Sequence, residues 1–94
     1  MFFWYVYILE SIKDKKLYIG YTKDLRKRME EHYKGRSRAT KPRKPLVLIY
    51  YEAGINQKDA KRREDYLKSS AGRKSLGLRL REYRQGRTAL GTRS

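Results

Sequence analysis

The 94-residue chain has no cysteine, two prolines and one histidine, and only 10 of its side chains are acidic. Without cysteine there is no disulfide framework, no cysteine-ligated zinc and no thiol nucleophile, so a reducing, cytoplasmic setting is the expectation. No segment approaches the ~20 consecutive apolar residues of a membrane-spanning helix. The opening stretch MFFWYVYIL is apolar, but it has neither a basic leader nor a small-residue cleavage site, so it reads as a strand and not as a signal peptide. The length fits one domain. These absences argue against a secreted, disulfide-stapled, membrane-spanning or multidomain protein.

Scarce acid leaves base in excess. There are 25 Lys and Arg, a formal charge of +15 and a pI of about 10.3. Residues 23–44 hold ten basic and three acidic side chains, residues 73–94 hold seven and one, and the other fifty residues add only +2. Two cationic stretches around a nearly neutral body suit a polyanion, because each cation set against a phosphate releases condensed counterions. Lys23, Arg26, Lys27, Arg36, Arg38, Lys41, Arg43, Lys44, Arg73 and Lys74 are the candidate nucleic-acid contacts, with DNA the expected partner. Neither stretch has a broad apolar face opposite its charges, so a membrane surface is not expected. Apolar residues make up 38% of the chain, but nine Tyr, two Phe and one Trp supply large buried area per residue.

The pattern along the chain predicts the order ββαβαα. FFWYVYILE at 2–10 reads as a strand with Phe3, Tyr5, Tyr7 and Leu9 on one face and Trp4, Val6 and Ile8 on the other. A polar turn leads to LYIGY, giving a hairpin over 2–21. Thr22 is the expected N-cap of a first helix running to Gly35, with Leu25, Met29, His32 and Tyr33 on one face and Arg28 beside them. A basic loop, RSRATKPRKP, precedes a third strand at 46–52. Asn56 opens a second helix, with Asp59 three residues on. On it Ala60, Glu64, Leu67 and Ala71 form one stripe; a carboxylate in an apolar stripe calls for a cation or metal partner. Gly72 is expected to close that helix, and 73–85 to form a third with Leu76, Leu80 and Tyr83 inward. Residues 1–85 form the expected domain and 86–94 a flexible basic tail. The fold class is α+β, a three-stranded antiparallel sheet flanked by helices.

Tyr5-Val6-Tyr7, then Tyr18-Ile19-Gly20 eleven residues on, then Arg28, His32 and Glu64 form an ordered set that resembles the GIY-YIG nuclease superfamily, in particular its small single-domain members. The similarity runs from about Phe3 to Tyr83. It implies metal-dependent hydrolysis of nucleic-acid phosphodiesters, with Glu64 as ligand of Mg²⁺ or Mn²⁺. It further implies Tyr7 as general base or water-orienting group, Tyr18 on the water or scissile phosphate, Arg28 on that phosphate, and His32 positioning the water or relaying its proton. One carboxylate suffices for an ion that keeps several waters. A phenol with an ordinary pKa of ~10 needs cationic surroundings or a proton acceptor such as His32 to act near neutrality. The chain departs from the family pattern in two places: Tyr5 stands where the first motif has Gly, and no Asn follows Glu64, where Arg73, Lys74, Ser75 and Arg79 occur instead.

The rival assignments are structural. Tyr7 and Tyr18 could be sheet aromatics, His32 a packing residue, and Glu64 an ion-pair partner of Arg28 or Arg63. The expected function is a metal-dependent endonuclease acting on DNA or on structured or branched nucleic acid. The alternative is a non-catalytic nucleic-acid-binding module on the same scaffold, and a third is an adaptor whose aromatics bind protein. Larger relatives carry a separate targeting domain, so here target selection falls to the basic surfaces, to a homodimer or to a partner protein.

Overall fold

The computed structural model describes residues 2–83; the expected tail at 86–94 lies outside them. Its elements are β1 (Trp4–Ser11), β2 (Leu17–Thr22), α1 (Leu25–Tyr33), a 3-10 turn at Lys41–Arg43, β3 (Leu46–Gly54), α2 (Gln57–Lys68) and α3 (Ser70–Arg79). The expected ββαβαα order is the observed one. The sheet order is β2-β1-β3, with β1 antiparallel to both neighbours. The strand richest in aromatic and β-branched residues takes the centre, where both edges are paired and both faces can be covered, and residues 6–11 are all buried. The division between two compact units falls between Glu64 and Asp65; the sheet, α1 and the start of α2 belong to the first.

Alternation along β1 sorts its side chains as the sequence predicts. Tyr7 and Leu9 pack with Met29 of α1 and Leu46 of β3, and Tyr18, Leu25 and Leu48 close around them. Val6 and Ile8, from the other face of β1, are buried too, as is Ile19, the cross-strand partner of Ile8. A register shift between Ile8 and Leu9 in the β1–β3 ladder marks an irregularity that local sequence does not signal.

Several element ends differ from expectation. Asp24, not Thr22, caps α1: its carboxylate accepts from the Lys27 amide at 3.1 Å. Thr22 is still paired to Tyr5 in the sheet, and its hydroxyl accepts from the Asp24 amide at 3.1 Å. Gly35, at φ +74°, follows the end of α1 in the left-handed conformation that glycine adopts without strain. Met29 and His32 are buried as predicted, whereas Tyr33 is exposed, since one helical step of 100° carries it off that face.

α2 stops three residues early. Ser69 breaks it, its hydroxyl donating to the Tyr66 carbonyl at 2.6 Å and accepting from the Gly72 amide at 3.1 Å, so the same side chain caps α3. Gly72 therefore lies inside α3 instead of closing α2. A β-carbon there would fall 1.8 Å from the Tyr66 carbonyl oxygen, so close backbone approach is what the glycine provides. Ala71 leaves the α2 stripe and is exposed. Leu76 and Leu80 are buried as expected, but Tyr83 is exposed. Among the described residues no helix is long and apolar enough to cross a membrane.

Candidate active site

The site grows from a pairing in the sheet. Tyr7 on β1 and Gly20 on β2 are Cα partners. A β-carbon at Gly20 would stand 2.5 Å from the Tyr7 hydroxyl oxygen and 2.6 Å from Cζ; the missing side chain is the space into which the phenol folds. Tyr18, which pairs with Leu9 on the same face, brings its ring centroid to 6.3 Å from that of Tyr7.

α1 supplies the other two members of this group. Arg28 and His32 are four residues apart and so share a helix face. Arg28 Nε donates to the Tyr7 hydroxyl oxygen at 3.3 Å, and that hydroxyl lies 2.9 Å from His32 Nε2. The His32 ring meets Tyr7 edge-on at 5.6 Å and Tyr18 at 5.3 Å. On its far side His32 Nδ1 lies 2.7 Å from the Thr40 hydroxyl. Since Tyr7 already accepts from Arg28, the network assigns its proton to His32 Nε2, and Nδ1–H then donates to Thr40.

Burial governs the electrostatics. It pushes the Tyr7 phenol up to about 12; the Arg28 hydrogen bond works against the rise, while the charges of Tyr18 and Glu64 add to it. Burial, helped by the Arg28 charge, pulls His32 down to about 4, against a small opposing effect of Glu31. Burial alone would lower Arg28, but its hydrogen bonds to Glu31, Tyr7 and Tyr18 outweigh it and hold the guanidinium charged. At neutral pH the cluster is thus a neutral phenol and a neutral imidazole beside a fixed cation. Of the two devices expected to activate Tyr7, the cationic surroundings do not lower its pKa, because burial prevails. The proton acceptor, His32, is in contact.

Glu64 lies on α2, 6% exposed, and one of its oxygens accepts from Lys61 Nζ at 2.8 Å. It is near enough to Tyr7 for its charge to be felt by the phenol. Arg28 pairs with Glu31 at 2.9 Å and Arg63 with Glu52 at 2.6 Å. Among the described residues no three His, Asp or Glu side chains gather as a metal cage.

Of the candidate phosphate contacts, Lys23, Arg26, Lys27, Arg36, Arg38, Lys41 and Lys44 are exposed, as are Arg73 and Lys74 on α3. Arg43 differs: it is half-buried and sits 3.8 Å from Asp14, while its carbonyl accepts from the Ser11 hydroxyl at 2.6 Å. Its main contribution is to tie the basic loop to the end of β1. Thr40 is the residue that sequence reasoning misses. It is fully buried and orients His32, yet in the sequence it is one hydroxyl in a polar loop, with no periodicity to single it out.

The protein-family model described as the GIY-YIG catalytic domain matches residues 3–76. A UPF0213 protein of Clostridium perfringens is 40% identical over 75 residues, covering 79% of this chain and 80% of that one. Another from Staphylococcus saprophyticus is 39% identical, covering 79% and 90%. The solution NMR structure of a UPF0213 protein from Bacillus halodurans is similar at a TM-score of 0.51 and 36% identity, covering 81% of each chain. With Tyr7, Tyr18, Arg28 and His32 joined around one phenol and the match spanning most of its length, the chain belongs to the GIY-YIG family of nuclease domains, within its UPF0213 group.

Proposed function

We propose that this protein is a divalent-metal-dependent endonuclease that hydrolyses phosphodiester bonds in DNA, including structured or branched DNA, in the cytoplasm. The observation that carries this is the hydrogen-bonded chain Arg28–Tyr7–His32–Thr40, with the Glu64 carboxylate within electrostatic reach. Such a chain places a proton acceptor behind a hydroxyl and a cation beside it, which general-base hydrolysis of a phosphate ester requires.

Glu64 suits a hard cation. Its donors are carboxylate oxygens, which would hold Mg²⁺ or Mn²⁺, ions that one carboxylate suffices to bind. Bound there, the ion supplies Lewis-acid charge to the anionic phosphate. The residues of the chain do the rest. The Tyr7 oxygen takes a proton from the attacking water as its own proton passes to His32 Nε2, 2.9 Å away. The Thr40 contact keeps the Nδ1–H tautomer and leaves that Nε2 lone pair open. Transfer in one motion avoids a free phenolate, which at about 12 would be scarce near neutrality, and the imidazolium it forms, at about 4, readily gives its proton up to water. Arg28 sits beside Tyr7 with its charge fixed, placed to donate to a non-bridging phosphate oxygen. The exposed cations of 23–44 then hold the flanking backbone.

The experiment is a nicking assay on supercoiled plasmid with Mg²⁺, with Mn²⁺ and with EDTA. Cleavage is expected with metal only, and Glu64→Gln, which keeps the side-chain volume, is expected to lose at least about a hundredfold in rate. Metal-independent binding of DNA with no product at long incubation would establish the non-catalytic binding module instead.

A further inference from the structure

Tyr5, which replaces the glycine of the first motif, is unused by the chemistry above. It lies on the same face of β1 as Tyr7, two residues away, or about 7 Å along the strand. Tyr51 on β3 is the Cα partner of Tyr7, so it occupies that face too. The Tyr5 and Tyr51 rings meet edge-on, centroids 5.9 Å apart and planes at 62°. Tyr7 is sealed beneath α1, but Tyr51 is 52% exposed. The sheet thus carries a continuous row of aromatics that is buried at the reacting phenol and open beside it. At the β2 edge of this row the partner of Tyr5 is Thr22, followed by the exposed Lys23.

An exposed aromatic ledge in a chain of charge +15 is suited to one ligand chemistry, a flat ring tethered to an anion. The geometry points to a nucleobase-stacking platform formed by Tyr5 and Tyr51, which receives the base next to the phosphate held at Tyr7 and Arg28. The position of that phosphate rests on the proposed function; the stacking itself does not require turnover. Tyr5 fixes Tyr51 from the side, and Tyr51 presents its ring outward. The ledge holds a base by its face, tolerates base identity and sets where along the strand the scissile phosphate lies. Replacing the motif glycine by tyrosine creates the inner half of the platform, since a glycine there would leave Tyr51 without its edge contact.

Binding in EDTA separates stacking from cleavage. The probes are a fluorescein-labelled single strand of mixed sequence, about twenty nucleotides long, and a strand of equal length built from tetrahydrofuran abasic units. Fluorescence anisotropy with the full chain is expected to give tighter binding of the base-bearing strand. Tyr51→Ala and Tyr51→Leu should weaken that strand by roughly five- to a hundredfold and leave the abasic strand unchanged, and Tyr51→Phe should bind like the parent. The platform is refuted if the Ala and Leu variants, melting like the parent, bind the base-bearing strand unchanged or lose equally on both strands. If the parent binds neither strand, the nucleic-acid function fails and the platform with it. If the parent binds and stacks but never cleaves, the platform stands and only turnover is lost.

Discussion

Gly20→Ala tests the packing of the site without removing any group that takes part in the chemistry. The new methyl would lie 2.5 Å from the Tyr7 oxygen and 2.6 Å from Cζ, about 1 Å inside ordinary carbon–oxygen and carbon–carbon contact. The Gly20 backbone is held in the ladder by its pairing with Tyr7, so the ring must yield. A displacement of about 1 Å stretches the 2.9 Å contact with His32 and the 3.3 Å contact with Arg28 past hydrogen-bonding range. Stability should fall by about 2–4 kcal/mol, because overpacking by one methyl and the loss of two buried hydrogen bonds are only partly offset by the lost chain entropy of glycine. The cleavage rate should fall about a hundredfold, as expected for a reacting group misplaced by ~1 Å. Single-turnover plasmid nicking under Mg²⁺ reads the rate, and urea unfolding reads the stability. Tyr7→Phe should show a comparable loss of rate. If Tyr7→Phe is inactive while Gly20→Ala nicks at the parent rate, the phenol does not depend on the space at Gly20 and this account of the motif is wrong.

Two further predictions concern stability. The folded-state pKa of His32, about 4, lies below the ~6.5 of an unfolded histidine, so the unfolded chain binds the extra proton between these values. Stability is therefore complete above about pH 6.5 and declines as pH falls toward 4, by ~2 kcal/mol between pH 7 and 5. Urea unfolding at the two pH values should show this slope in the parent and lose it in His32→Gln; an equal slope in both would refute the assignment. Gly72→Ala, whose methyl would strike the Tyr66 carbonyl, should cost about 3 kcal/mol or more. Gly77→Ala in the same helix meets nothing within 4 Å and should stabilise by ~0.5–1 kcal/mol; thermal melts that fail to separate the two would undo the close-approach account.

The architecture was legible because its signals are local. Alternating aromatic and β-branched residues define β1, the polar turn and LYIGY define the hairpin, and the leucine spacing recovers the buried positions of α3. The misread boundaries share one cause. Thr22, Ser69 and Gly72 are all residues that can end or begin a helix, and the decision depends on which backbone group is free to bond. Thr22 is committed to the sheet by its pairing with Tyr5, and the Ser69 hydroxyl serves two helices at once.

The sequence by itself determined the order of elements, the excess of positive charge and the spacing of Tyr7, Tyr18, Arg28, His32 and Glu64, since each is a property of neighbours along the chain. Only the tertiary structure decided that Tyr7 is a buried, protonated phenol and not an exposed one activated by nearby cations. Desolvation is set by what packs around a group, and here α1 and the bare backbone of Gly20 enclose the ring. The same packing recruited Thr40, eight residues beyond His32 across a loop, and left Tyr51 open on the face where Tyr7 is closed. Contacts between residues distant in sequence carry no periodicity, so folding alone reveals them.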